Sequence, residues 1–80
     1  MRVIKVGQKY RHFKNKLYEV IAIANDSESN NDDELKKVVV YKALYGDGLI
    51  WVRDYDMFAS KVDKEKYPDV DQEYRFEEVN

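Results

Sequence analysis

Apolar and polar positions alternate along this chain in short runs broken by turn-forming residues. The first run, Tyr10-Arg11-His12-Phe13, is followed by the polar gap Lys14-Asn15-Lys16 and then by Leu17-Tyr18-Glu19-Val20-Ile21-Ala22-Ile23-Ala24. Aromatic and β-branched residues flanking an asparagine-centred break predict strand, tight turn, strand. Residues 25–33 hold no large apolar side chain and are rich in Asn, Asp and Ser, which favour turns over ladders, so an acidic loop is predicted over 25–34. Val38-Val39-Val40-Tyr41 is too β-branched to favour helix and predicts a third strand over 37–45. Gly46-Asp47-Gly48 supplies the positive-φ positions of a reversal, and Leu49-Ile50-Trp51-Val52-Arg53 returns as a fourth strand. Residues 54–58 predict one helical turn capped by the Asp54 carboxylate, with Met57 and Phe58 inward. A fifth strand is expected over 59–63. After the polar stretch around Pro68, residues 73–79 predict an edge strand.

Alternation divides the two longest strands into faces. Tyr18, Val20, Ala22 and Ala24 share one face, and Val39, Tyr41, Ala43 and Tyr45 another; neither set carries a charge, so both are core candidates. The opposite faces hold Ile21, Ile23, Val38, Val40 and Leu44, interrupted only by Glu19 and Lys42. They too need cover, which a sheet curling on itself or a partner subunit would supply. The fold class expected is mostly β: a small barrel of five to six short strands with one helical turn near residues 54–58.

Composition narrows the function classes. Eighty residues fit one domain, 1–80, with a polar extension over 64–80. There is no cysteine, so neither disulfides nor thiolate metal sites are available, and the core rests on seven Tyr, three Phe and one Trp. No run approaches the roughly 20 apolar residues that span a bilayer, and no apolar stretch follows Arg2 and Lys5, so a cytoplasmic address without membrane contact is expected. The net charge of −2 is unevenly placed: residues 1–25 carry +5, 26–34 carry −5, 35–53 carry +3 and 54–80 carry −5. The overall balance disfavours nucleic acid, while the basic amino-terminal segment keeps single-stranded nucleic acid as a lesser alternative.

Gly7 with Tyr10-Arg11-His12-Phe13-Lys14, Leu17-Tyr18-Glu19-Val20, the run Val39-Val40-Tyr41-Lys42-Ala43-Leu44-Tyr45-Gly46, and Trp51-Val52-Arg53 with Met57-Phe58 follow one another over residues 7–58. In these elements the chain resembles a family of small bacterial proteins known as domain of unknown function 1653. The resemblance implies a Src-homology-3-like barrel and brings no established activity with it. The chain departs from the family pattern at Asn25 and Asp26, where a basic residue and a histidine are usual, and at Asp54, where proline is usual.

Candidate chemistry is sparse. His12 is the one histidine, so a general base near neutral pH would be His12 or a perturbed carboxylate. Asp26, Glu28, Asn30 and Asp32 alternate like a calcium loop, but Asn31 replaces the turn glycine and Lys37 falls where the bidentate glutamate belongs. Gly46-Asp47-Gly48 lacks the spacing of a phosphate-cradling loop, and no cofactor or metal is expected. Trp51 and Arg53 share one strand face, where an arginine over an aromatic ring either closes the core or clamps a planar or anionic group. The reading favoured is a module binding an unknown ligand, peptide or protein through Arg11, His12, Glu28, Tyr41, Tyr45, Trp51 and Arg53. The alternatives are a homodimeric structural subunit and an enzyme using His12 with Glu19 or Glu28.

Overall fold

The computed structural model describes residues 2–28 and 35–79. The acidic stretch from 29 to 34, with Asn30, Asn31 and Asp32 of the calcium-like pattern, lies outside them. Five antiparallel strands, β1 (Lys9–His12), β2 (Lys16–Asn25), β3 (Lys37–Ala43), β4 (Ile50–Asp54) and β5 (Phe76–Val79), form one sheet in the order β4-β3-β2-β1-β5. The first four make a meander, as the turn chemistry predicts. Asn15 takes φ 67° between β1 and β2, a conformation asparagine tolerates better than most residues. Gly46 and Gly48, at φ 56° and 68°, reverse the chain between β3 and β4.

The mostly-β expectation is met, with one change. β4 and β5 are the two ends of the strand order and share no ladder, so the expected barrel is an open sheet. The sheet coils strongly even so: Tyr41 on β3 reaches Phe76 on β5, with ring centroids 5.5 Å apart, although two strands lie between them.

The concave face holds the core: Ile4, Tyr10, Val20, Val39, Tyr41, Phe58 and Phe76. Phe58 and Phe76 stack face to face at 3.9 Å, and Tyr10 and Tyr41 present edges to Phe58 at 5.5 and 5.2 Å. Such aromatic pairs add about 0.5–1.5 kcal/mol each to area burial, a substantial help where no disulfide is available. The helical turn α1 (Tyr55–Phe58) forms as predicted, the Asp54 carboxylate accepting the N–H groups of Asp56 and Met57. Its orientation differs from expectation, since Phe58 is fully buried while Met57 stays 47% exposed.

Cover for the concave face also comes from the amino-terminal segment. Ile4 is buried, with its N–H donating to the Tyr55 hydroxyl at 2.8 Å, and the Lys5 N–H donates to that of Tyr10 at 3.0 Å. Arg2 donates to the carbonyls of Ala59 and Phe76 and lies over the Tyr74 ring. The fifth strand expected over 59–63 is reduced to a single bridge, Lys61 to Tyr74, and the strand pairing with β1 is the carboxy-terminal one, Tyr10 opposite Glu78.

A β-bulge corrects the face assignment of β2. Val20 sits opposite Tyr41 but Ala22 opposite Val40, so Ile21 is the extra residue and alternation inverts beyond it. Ile23, opposite Val39, packs on the core in place of Ala22 and Ala24.

Candidate functional site

The coiling of the sheet brings one side chain from each strand together where the aromatic core meets its rim. β1 contributes His12, β2 Tyr18, β3 Tyr41, β4 Arg53 and β5 Phe76. His12 lies on the same face as buried Tyr10, two residues earlier. Its ring stacks on Phe13 at 4.4 Å and meets Phe76 edge-on at 4.9 Å. Nδ1 accepts the Lys14 N–H at 3.1 Å in the turn that the Asn15 N–H closes on the His12 carbonyl, which leaves Nε2 to carry the proton of the neutral ring.

Electrostatics at the rim are one-sided. Burial, then Arg53, Arg75 and Lys14, hold the His12 imidazole down to about 4, so the ring is neutral at pH 7. No carboxylate is among the charges acting on it. Glu19 stands opposite Lys9 and Lys42 in the ladder, on the other face from Tyr18, so the His12–Glu19 pair considered from the sequence is not formed.

The Arg53 Nε–H donates to the Tyr41 hydroxyl at 3.3 Å, and its guanidinium lies 5.7 Å from the centroid of Phe76. Its aromatic partner is therefore Phe76, not neighbouring Trp51. The Arg75 Nε–H donates to the Ser60 hydroxyl at 3.2 Å. Among the described residues neither arginine makes an ion pair; the two pairs present are Lys5–Glu78 and Lys61–Glu73.

Phenols continue the rim toward the β3–β4 turn. The Tyr18 and Tyr45 hydroxyls are 2.7 Å apart, and Tyr18 meets Tyr41 edge-on at 5.3 Å. Burial first, then the bond to Tyr45, pushes the Tyr18 phenol well above the usual tyrosine range. Beyond Tyr45 a pocket of about 260 Å³ is lined by Ala43, Tyr45, Gly46, Asp47, Leu49 and Trp51. Trp51 stands opposite Tyr41 in the ladder and is half exposed.

Of the residues singled out in the sequence, the structure gathers His12, Tyr41, Tyr45, Trp51 and Arg53 on this concave side. Arg11 is exposed on the opposite face of β1 from Tyr10. Glu28 lies beyond the Asn25 end of β2, whereas Tyr18 is near the other end, a separation of roughly 20 Å along the strand. Arg75, whose charge acts on His12, joins the rim without having been singled out, and buried Phe76 lies beneath it. Their contribution depends on β5 pairing with β1 across more than sixty residues, for which no local pattern speaks.

The site is thus a cationic and aromatic rim on a curled β sheet, with no helix among the described residues long and apolar enough to cross a membrane. The chain belongs to the family described as protein of unknown function (DUF1653), whose model matches residues 8–78 and so takes in β5 as well as the meander. No curated protein and no solved structure matches the chain.

Proposed function

We propose that the protein is a binding module whose concave rim takes a small ligand combining a planar ring with an anionic group. The observation that carries this reading is the presence of two guanidinium groups, Arg53 and Arg75, beside a neutral imidazole, with no carboxylate paired to either arginine among the described residues. Arg53 would face the anion, with the His12 Nε2–H as an uncharged donor. Trp51 and Tyr45 offer ring faces at the adjoining pocket. We place this module in the cytoplasm of a bacterial cell, in keeping with the family resemblance and the cysteine-free composition.

Trp51 is the one tryptophan of the chain, so its fluorescence reports locally on the rim. Titration with a panel of nucleoside monophosphates and small aromatic carboxylates is expected to give a saturable change for at least one probe. The change should be lost in Arg53→Ala and weakened by added salt, while the far-ultraviolet circular dichroism of the variant stays that of the wild type. Flat titrations across the panel, or equal affinity in the variant, would overturn the reading.

A further inference from the structure

The two edges of the sheet differ in how they meet solvent. β5 reads Phe76-Glu77-Glu78-Val79 and carries two acids, a common device that keeps an edge from pairing with another chain. β4 holds its two charges, Arg53 and Asp54, at its carboxy-terminal end only. Leu49, Ile50, Trp51 and Val52 form an uncharged, proline-free run, and they are 58%, 61%, 48% and 61% exposed.

Backbone groups are available along that edge. The Ala43 N–H donates to the Leu49 carbonyl at 2.9 Å, so Leu49, and with it Trp51 and Arg53, turn their backbone groups toward β3. Ile50 and Val52 turn theirs away, as antiparallel alternation requires. Among the described residues nothing bonds to these outward groups. On the convex face the side chain of Val52 extends an apolar row through Val40 to Ala22, which stand opposite one another in the ladder, while Ile50 stands opposite Lys42.

We propose that β4 is the dimer interface of this protein, pairing antiparallel with β4 of a second copy about a two-fold axis at Trp51. In this register Ile50 exchanges backbone hydrogen bonds with the partner subunit's Val52, and Val52 with the partner subunit's Ile50. Both outward-turned residues of the apolar run are then satisfied, with apolar side chains facing each other on the convex side. Arg53 falls opposite the partner subunit's Leu49 and Asp54 opposite the partner subunit's Gly48, so no like charges are opposed, and a second copy of the same uncharged run is the complementary occupant. On the concave side Trp51 meets Trp51 of the partner subunit, and the two rims become one continuous surface across a ten-stranded sheet. The pairing does not depend on the rim holding a ligand.

Sedimentation equilibrium over a wide range of protein concentration tests the interface. The wild-type chain is expected to show a reversible monomer–dimer equilibrium. Val52→Lys, which puts a charge into the apolar row, should raise the dissociation constant by more than about tenfold. Val52→Pro removes an outward N–H without touching the β3 ladder and should do the same. In both variants the circular dichroism and thermal transition of the monomer should persist. Should one variant unfold, the other carries the test, and Trp51 emission followed on dilution of the wild type gives an independent reading of the interface. A wild-type mass that stays monomeric up to the solubility limit, or a dimer undisturbed by a folded Val52 variant, would overturn the proposal.

Discussion

The guanidinium of Arg53 lies 5.7 Å from the centroid of the Phe76 ring, and these two residues belong to the opposite edge strands of a single sheet. Side chains, not backbone hydrogen bonds, bring the edges together. Arg53 also donates to Tyr41, so it ties β4, β3 and β5 at one point on the rim of the aromatic core. An arginine in that position performs two tasks at once: its stem covers apolar surface while its charged head stays wet enough to meet a ligand.

The energetic consequence separates rim from core. Phe76→Ala removes a fully buried ring stacked on Phe58 and is expected to cost about 3–5 kcal/mol. Arg53→Ala loses a partly exposed cation–π contact and is expected to cost about 0.5–1 kcal/mol. Urea unfolding of the two variants gives both values. An Arg53→Ala loss as large as that of Phe76→Ala would make Arg53 a structural closure and would weaken the case for a site.

Position 21 tests the bulge. With Ile21 as the extra residue, Ile23 packs against the core and Ile21 faces solvent. Ile23→Ala is therefore expected to cost about 2 kcal/mol, and Ile21→Ala well under 1 kcal/mol, in denaturant unfolding. Reversal of that order would mean that β2 keeps unbroken alternation in solution.

Much of the meander was legible because its determinants are local. The Lys14-Asn15-Lys16 gap contains a residue suited to φ 67°, Gly46 and Gly48 supply positive φ, and the Asp54 side chain caps the turn two residues ahead of it. Alternation placed Val39, Tyr41 and Ala43 correctly in the core. It failed beyond Val20, because a bulge leaves no mark in a run where every neighbour is apolar. The carboxy-terminal strand was visible as a strand but not as the partner of β1, since ladder partners so far apart in the chain are chosen by the closure of the core. For the same reason the rim was only half readable: Trp51 and Arg53 share a face by parity alone, while Arg75, and Phe76 beneath it, come into place only once the sheet coils. Arg11 and His12 also illustrate parity, because adjacent strand residues divided between two faces, and it is His12 that turned inward.

The inward turn of His12 makes the stability of the fold depend on pH. Burial and three nearby cations hold its imidazole at about 4, against an ordinary value of 6.5, so protonation is harder in the folded chain than in the unfolded one. The contribution of the neutral ring is whole above about pH 6.5, shrinks as the pH falls, and is gone once the pH drops below about 4. Carboxylates titrate over part of the same range, but they are common to the wild type and to His12→Asn, whose side-chain oxygen can accept the Lys14 N–H in place of Nδ1. The difference in unfolding free energy between the two proteins is therefore expected to be constant above pH 6.5 and to decline steadily toward pH 4. Proton magnetic resonance of the one imidazole gives the midpoint directly. A histidine titrating near 6.5, or a difference that ignores pH, would mean that the ring is solvated and that the cations of the rim do not act on it.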